Sequence, residues 1–166
     1  MFWGHRLEYD RGEEARAYWQ RFAPLAGRPL TDALLNDLIR DDVALWNRFD
    51  DRVLNWATRL RRAGIKTGIL SNLPRTHGEA LHATPGFLNH FDHVTFSYEL
   101  SMVKPEAGIY RHAVEGLGLA AHEALFLDDR PENVKGALAV GLLSHTFTTW
   151  EEFLQANQST YHLPMD

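Results

Sequence analysis

Cysteine is absent from the 166-residue sequence. Its absence excludes a disulfide framework, catalysis by a thiolate and a zinc site built on cysteine ligands. The nine histidines are scattered along the chain, and none shows the H-E-x-x-H spacing of a helical metal site. We therefore expect neither thiol chemistry nor a histidine metal site.

Positive charge is scarce as well. The sequence has 17 Lys and Arg residues against 22 Asp and Glu residues, which gives a formal net charge of −5. Its longest basic run is Arg59–Arg62, which Leu60 interrupts. This charge distribution argues against nucleic acid as a partner, because such binding depends on neutralising phosphates along a basic face. Small anionic substrates remain compatible with it, since they need only local positive charge.

Long apolar runs are also missing. The first residues, MFWGHRLEYD, lack the basic start and the apolar stretch of a signal peptide, and no segment approaches the length of a membrane span. We therefore expect a cytoplasmic protein with no membrane partner. Hydrophobic residues make up 45% of the chain and charged residues 23%, as in ordinary globular domains. A chain of 166 residues suits one core domain with a small appended lobe.

The hydrophobic pattern divides the chain at residue 50. Residues 1–50 show helical apolar spacing, no convincing strand and a plausible helix N-cap at Thr31, which predicts a partial helical cap. From residue 51 to 166, helical and strand patterns alternate. Alternation of this kind predicts an α/β fold, a Rossmann-like parallel sheet with helices on both faces.

The predicted core elements follow from runs of apolar residues and from glycine and proline. Gly64 is expected to end a helix that contains Val53 and Leu60, and Pro105 is expected in the first turn of a later helix. The predicted strands are IKTGILSN (65–72), HVTFSYEL (93–100), EALFLDD (123–129) and HTFTTW (145–150), and the later helices are PEAGIYRHAVEGLG (105–118) and PENVKGALAVG (131–141).

Polar residues follow three of the predicted strands. Ser71 and Asn72 end the first, Lys104 lies in the loop after the second, and Asp128 and Asp129 end the third. Ligands of open α/β sheets bind outside the carboxyl ends of the strands, so these side chains should converge on one rim. Paired carboxylates favour Mg²⁺, a lysine suits a phosphoryl oxygen, and a serine hydroxyl can donate to a second one.

Each of these features also has a purely structural interpretation. A Ser-Asn pair after a strand is usually a turn or a helix cap, and a lysine before proline is usually a solvated loop residue. The acid pair before Pro131 could be a helix N-cap with favourable charge for the helix dipole. The order of all three features and their position after strands favour a functional site.

Three segments, ILSN, SYELSMVKPEAGIY and LFLDDRPENVKGA, resemble the second, third and fourth motifs of the haloacid dehalogenase superfamily. The resemblance is greatest to phosphatase-like members with a small helical cap after the first motif, and it extends from about residue 51 onward. It implies a phosphoaspartyl mechanism, in which an aspartate attacks phosphorus, Mg²⁺ bridges that aspartate and the phosphoryl group, and water cleaves the covalent intermediate.

The resemblance also implies a role for each residue on the rim. Ser71 would bind a phosphoryl oxygen, Lys104 would stabilise the phosphate and the nucleophile, and Asp128 or Asp129 would be the Mg²⁺ ligand. Asn72 would lie in the substrate site, although the phosphatase and dehalogenase branches share it. The acid pair favours phosphate-ester hydrolysis over carbon–halogen cleavage, because the dehalogenases need no metal and tend to carry serines at this position.

The first motif of the superfamily, a strand that ends in D-x-D, is missing from the sequence. None of the candidates follows a buried strand: Asp10, Asp41-Asp42 and Asp50-Asp51 all lie in helical or cap-like patterns. We therefore expect a truncated chain that begins inside the cap and lacks the central strand between those ending in Ser71 and Asp128. The alternatives are a rearranged, non-catalytic sheet, or a second chain that fills the gap and makes a homo-oligomer through the unpaired edges.

The leading functional hypothesis is a Mg²⁺-dependent phosphatase of small phosphorylated metabolites, inactive as this chain because its nucleophile is absent. The alternative is a non-catalytic protein that binds phosphate or a partner. A 2-haloacid dehalogenase is a weaker alternative.

Overall fold

The structure is a computed structural model that describes residues 2–165, except for the side chains of Phe2, Trp3 and Ala26. Met1 and Asp166, the outer ends of the two predicted regions, lie outside the described residues. Its helices and strands in chain order are α1 (Phe2–Asp10), α2 (Ala15–Gln20), α3 (Asp32–Trp46), α4 (Asp51–Arg62), β1 (Gly68–Ser71), α5 (Arg75–Ala83), β2 (His93–Phe96), α6 (Ser97–Leu100), α7 (Ala107–Leu117), β3 (Leu125–Asp128), α8 (Pro131–Ala139), β4 (Leu143–Thr146) and α9 (Trp150–Ala156).

The first three helices form the part of the chain that the sequence pattern assigned to a cap. Thr31 caps α3, because its side-chain oxygen accepts a hydrogen bond from the Leu34 N–H at 3.2 Å. This confirms the predicted N-cap. The rings of Tyr9 and Tyr18 stack with centroids 4.1 Å apart and join α1 to α2. Among residues 2–50 the structure contains no strand, and the domain division at residue 50 stays a prediction.

The strands form two parallel pairs. β1 pairs with β2 from Gly68↔His93 to Ser71↔Phe96, and β3 pairs with β4 from Leu125↔Leu143 to Asp128↔Thr146. Because helices connect parallel strands, the α/β fold class is confirmed. β1 and β3 are not hydrogen-bonded to each other, and an apolar cavity of about 690 Å³ lies between them. The absence of a central strand from the protein stays a prediction.

The predicted second strand is wrong in its second half. Residues 93–100 were expected to be extended, but only His93–Phe96 forms a strand and Ser97–Leu100 is a helical turn. Ser97 redirects the chain, because its Oγ accepts from the Leu73 N–H at 2.9 Å and donates to the Asp10 carbonyl at 2.6 Å. These partners lie far away in sequence, so the local pattern could not reveal them.

Two further predicted boundaries are corrected. Pro105 lies before α7 and not in its first turn, because Glu106 has an extended backbone and is the N-cap. The fourth strand covers Leu143–Thr146 and not residues 145–150. Thr149 accepts a hydrogen bond from the Glu152 N–H and is the N-cap of α9. Gly64, with φ +82°, follows the last turn of α4 as predicted.

None of the helices in the described part of the chain is both long and apolar enough to cross a membrane. The cytoplasmic location stays a prediction.

Candidate active site

The Lys104 ammonium group connects the carboxyl ends of β1 and β3 through two contacts. The Lys104 Nζ lies 2.7 Å from Asp128 Oδ2 and donates a second hydrogen bond to the Leu70 carbonyl at 3.0 Å. The two side chains are 10% and 5% exposed. Because charges this far removed from water are costly unless paired, the bridge fixes Lys104 and Asp128 relative to each other.

Asn72 holds the backbone of Lys104 in place. Its side-chain Oδ1 accepts from the Lys104 N–H at 2.8 Å, and its Nδ2 donates to the Lys104 carbonyl at 3.1 Å. The next peptide bond, Lys104–Pro105, is cis. On the far side of this loop, Gly136 of α8 approaches so closely that a Cβ on it would lie 2.9 Å from the Pro105 carbonyl oxygen. The loop that carries Lys104 is therefore held from two sides.

The other carboxylate oxygen of Asp128, Oδ1, is hydrogen-bonded to the start of α8. Asp128 Oδ1 accepts from the Arg130 backbone N–H and from Asn133 Nδ2, both at 2.9 Å. Tyr110 in turn donates to the Asn133 carbonyl at 2.8 Å. Burial raises the pKa of the Tyr110 hydroxyl, and the negative charge of Asp128 raises it further. Tyr110 therefore remains a protonated donor, and Asp128 is anchored to the start of α8.

Asp129 and Ser71 are chain neighbours of this hydrogen-bonded group. Asp129 is exposed, whereas Ser71 is half-buried at the last position of β1. Within residues 2–165, neither side chain takes part in a hydrogen bond or ion pair of the structure. A carboxylate and a hydroxyl at the rim thus remain available to a ligand.

The donor set fits Mg²⁺ held jointly with a phosphate better than a metal held by the protein alone. In the described part of the chain, no three His, Asp or Glu side chains are grouped closely enough to enclose an ion. Mg²⁺ is commonly bound by one or two carboxylates, with substrate phosphate and water completing its coordination. Asp129 would be the main protein ligand, because Asp128 already accepts three hydrogen bonds.

The structure unites part of the predicted site. Asn72, Lys104 and Asp128 form one hydrogen-bonded group, while Ser71 and Asp129 adjoin it in the chain without a hydrogen bond to it.

Sequence reasoning missed Asn133, which orients Asp128. The sequence does show an amide side chain five residues after Asp128, in the first turn of a helix, and this position could have indicated the contact. It also missed Tyr110, whose role depends on contact between α7 and α8 and leaves no local signal.

The other aspartates have structural partners. Arg6 bridges Asp10 at 3.0 Å and Asp42 at 3.1 Å, between α1 and α3. Burial raises the pKa of Asp10 to about 6, although the charge of Arg6 opposes this shift. Asp50 caps α4 through the Arg52 N–H. None of these carboxylates belongs to the hydrogen-bonded group around Lys104.

A sequence model of the haloacid dehalogenase-like hydrolases matches residues 5–141, most of the chain. The chain belongs to this family. The match includes most of the helices before residue 50, Ser71 and Asp128 at the ends of β1 and β3, and Lys104 in the loop before α7.

Two curated relatives are phosphatases by name. Sesquiterpene phosphatase astK of Aspergillus oryzae is 29% identical over 96 residues, which are 58% of this chain and 49% of that protein. Phosphoserine phosphatase of Thermus thermophilus is 33% identical over 84 residues, which are 49% of this chain and 33% of that protein. The matched part is thus half or less of the length of each relative.

Solved structures of the family share the fold. A haloacid dehalogenase family enzyme from Bacteroides thetaiotaomicron, crystallised with magnesium and inorganic phosphate, superposes with a TM-score of 0.67 at 22% identity. The superposition covers 88% of this chain and 77% of that protein. At this identity the likeness establishes the architecture of this chain.

Proposed function

We propose that the rim formed by Ser71, Asn72, Lys104, Asp128 and Asp129 binds Mg²⁺ and the phosphate group of a small phosphorylated metabolite, as in a phosphatase. The observation that carries this proposal is the Lys104–Asp128 bridge, held by Asn72 and followed by Asp129, whose exposed side chain makes no hydrogen bond or ion pair with residues 2–165. The phosphatase names of both relatives and the magnesium and phosphate in a structural neighbour support it.

In this proposal the donor side chains bind the phosphate and the carboxylates bind Mg²⁺. Lys104 has three N–H donors, of which Asp128 and Leu70 occupy two, so the third can bind a phosphoryl oxygen. Ser71 donates a hydrogen bond to a second phosphoryl oxygen. Asp129, and Asp128 through its remaining lone pair, would hold Mg²⁺, which when bound would offset negative charge on the phosphate. A positive group fixed before the substrate arrives stabilises charge that develops during phosphoryl transfer.

Turnover would also need a carboxylate nucleophile. The sequence contains no D-x-D segment, and the aspartates before residue 51 are exposed or have structural partners. We therefore propose that the 166-residue chain binds phosphate without hydrolysing its esters. A fused upstream strand that ends in D-x-D should then create activity.

Hydrolysis of p-nitrophenyl phosphate with Mg²⁺ tests these statements. The 166-residue chain should show no turnover, and the D-x-D fusion should show turnover that Lys104→Ala abolishes. Lys135→Ala is the matched control, because Lys135 is exposed on α8 and has no hydrogen bond or ion pair with a rim residue among residues 2–165. Hydrolysis by the unfused chain would overturn the proposed need for an added nucleophile.

A non-catalytic role is the second candidate, and the lysine–carboxylate bridge next to Asp129, present without a D-x-D segment, favours it. Phosphate binding by the chain, together with an inactive D-x-D fusion, would support this role. A 2-haloacid dehalogenase is disfavoured by the acid pair, and no chloride should be released from 2-chloropropionate.

A further inference from the structure

An aromatic pocket adjoins the two carboxylates of the rim. We call it the acid-pair pocket, a cavity of about 320 Å³ lined by Val53, Trp56, Leu127, Asp128, Asp129, Phe147 and Trp150. An apolar cavity of about 150 Å³ can bind benzene, so this pocket has room for one or two fused rings. Ligand pockets are mostly apolar and carry a few polar groups, as this one does. The acid-pair pocket therefore has the size and composition of a binding site for an organic group.

The acid-pair pocket differs in position from the larger cavity between β1 and β3. The two cavities share Leu127 and two residues of α4, but the larger one reaches neither Asp128 nor Asp129. Of the residues in β1 and β2, none lines the acid-pair pocket. Its walls are α4, the end of β3 and residues 147–150 after β4. The pocket thus lies beside the carboxylates that the proposed function assigns to Mg²⁺.

One buried ring holds the three aromatic walls in place. Phe153 of α9 is buried. Its ring centroid lies 5.1 Å from that of Trp56 and 6.0 Å from those of Phe147 and Trp150. Trp56 also meets Trp150 edge to face, with centroids 5.8 Å apart. Walls that are fixed before a ligand arrives lose little conformational entropy on binding, which favours affinity.

A backbone hydrogen bond ties the aromatic wall to the acid pair. The Phe147 N–H, just beyond β4, donates to the Asp128 carbonyl at 2.9 Å. Trp56 donates its indole N–H to the Pro164 carbonyl at 2.8 Å, so its ring offers the pocket only carbon surface. The spacing between the aromatic walls and the carboxylates is therefore set by the pairing of β3 with β4.

The side chains of the pocket select against polar organic groups. Within residues 2–165, no hydroxyl, amide or cationic side chain lines the pocket, and both of its charged residues are acidic. A sugar hydroxyl placed there would lose its hydrogen bonds to water without a side-chain replacement. A second anionic group would be repelled by Asp129. A planar apolar group meets neither penalty and gains contacts with the aromatic rings.

We propose that the acid-pair pocket binds the uncharged aromatic group of a phosphate monoester while the rim binds its phosphate. This inference rests on the proposed function and names its substrate class, aryl phosphates rather than phosphorylated sugars or amino acids. Asp129 connects the two sites, because it lines the pocket and is the proposed main ligand of Mg²⁺. A phosphate bound to that ion would direct its ester group into the pocket.

Calorimetry on the 166-residue chain with Mg²⁺ tests the proposal by comparing small phosphates. Phenyl phosphate should bind at least tenfold more tightly than methyl phosphate, and 1-naphthyl phosphate at least as tightly as phenyl phosphate. Glucose 6-phosphate should bind no more tightly than methyl phosphate. Nuclear magnetic resonance locates the ring, because the indole N–H signals of Trp56 and Trp150 should shift with phenyl phosphate and not with inorganic phosphate.

One substitution separates the pocket from the phosphate site. Trp150→Ala removes an aromatic wall and should weaken phenyl phosphate binding at least tenfold, with the binding of inorganic phosphate unchanged. Trp46→Ala is the matched control and should change neither affinity, because Trp46 is exposed on α3 and does not line the pocket. The comparison of phosphates uses the unmodified chain, so it decides the question even where Trp150→Ala does not fold.

Four results would overturn the proposal. Equal affinities for phenyl and methyl phosphate, with inorganic phosphate still bound, would exclude the pocket as a ligand site and leave the proposed phosphate site intact. Tighter binding of phenyl phosphate that a folded Trp150→Ala variant retains would place the ring elsewhere. Tighter binding of phosphocholine than of its uncharged isostere 3,3-dimethylbutyl phosphate would show that the acid pair selects an ammonium group. If no phosphate binds at all, the proposed function fails and this inference fails with it.

Discussion

Lys104 Nζ lies 2.7 Å from Asp128 Oδ2 of β3 and also donates to the Leu70 carbonyl of β1, so one ammonium group links two strands that have no hydrogen bond between them. The residues are 24 positions apart in sequence. Both charges are almost fully removed from water. The contact therefore serves the architecture and the proposed phosphate site at the same time.

Removing one partner of this bridge should destabilise the protein strongly. Lys104→Met leaves Asp128 as an unpaired buried charge, which costs about 3–5 kcal/mol. The double variant with Lys104→Met and Asp128→Asn should recover part of this loss, because no buried charge is left. Urea denaturation of both variants measures the difference. Lys135→Met should change stability by at most ~0.5 kcal/mol, as expected for an exposed site, and an equally small effect of Lys104→Met would contradict the described bridge.

Asn72 should stabilise the folded protein through the two hydrogen bonds that it makes to the backbone of Lys104. Asn72→Ala leaves the Lys104 N–H and C=O without these partners and should cost about 1–3 kcal/mol. Thermal or urea unfolding measures this loss. Asn89→Ala, at an exposed side chain, is the matched control. If both variants unfold at the same denaturant concentration, Asn72 does not hold the loop.

Gly136 should be intolerant of even one methyl group. A Cβ there would meet the Pro105 Cβ at 2.7 Å and the Pro105 carbonyl oxygen at 2.9 Å, so α8 or the Lys104 loop must shift. Gly136→Ala should therefore destabilise by about 1–3 kcal/mol, as overpacking usually does. Gly4→Ala is the control, because Gly4 is helical with open space around it and Ala should add up to ~1 kcal/mol of stability. Stabilisation by both substitutions in urea unfolding would refute the close approach.

Asp10 should give the protein a pH-dependent stability in mildly acidic solution. Its pKa rises to about 6 in the folded state, chiefly through burial, from an ordinary value of 3.8. Between these values the folded state binds more protons than the unfolded state, so this contribution is greatest below about pH 4 and is lost as the pH rises toward 6. The loss amounts to roughly 2–3 kcal/mol, at about 1.4 kcal/mol per pKa unit.

Unfolding measured between pH 4 and 7 tests the contribution of Asp10. Asp10→Asn should flatten the pH dependence relative to the unmodified chain, whatever its effect on absolute stability. Asp37→Asn, at an exposed position of α3, should leave the slope unchanged. A slope that survives Asp10→Asn would assign the pH dependence to other groups.

Local sequence signals predicted the elements whose cause is local. Thr31 caps α3 through its own hydroxyl, Gly64 ends α4 with a positive φ, and the apolar runs before Ser71 and Asp128 are strands. The order of Asn72, Lys104 and Asp128 after strands was enough to bring them together, because parallel strands end on the same edge.

The features that escaped prediction depend on distant partners. Ser97 begins a helical turn because it binds backbone groups of Leu73 and Asp10, which periodicity cannot detect. Asn133 orients Asp128 only after α8 has packed beside β3. The cavity between β1 and β3 likewise depends on how two separate strand pairs pack against the helices.

Binding of inorganic phosphate, measured by calorimetry with and without Mg²⁺, tests the proposed site most directly. The chain should bind phosphate more tightly with Mg²⁺. Lys104→Ala should weaken binding at least tenfold in both conditions, whereas Asp129→Asn should remove only the Mg²⁺ dependence. Phosphate binding that neither substitution changes, or no phosphate binding at all, would contradict the assignment of this rim as a magnesium and phosphate site.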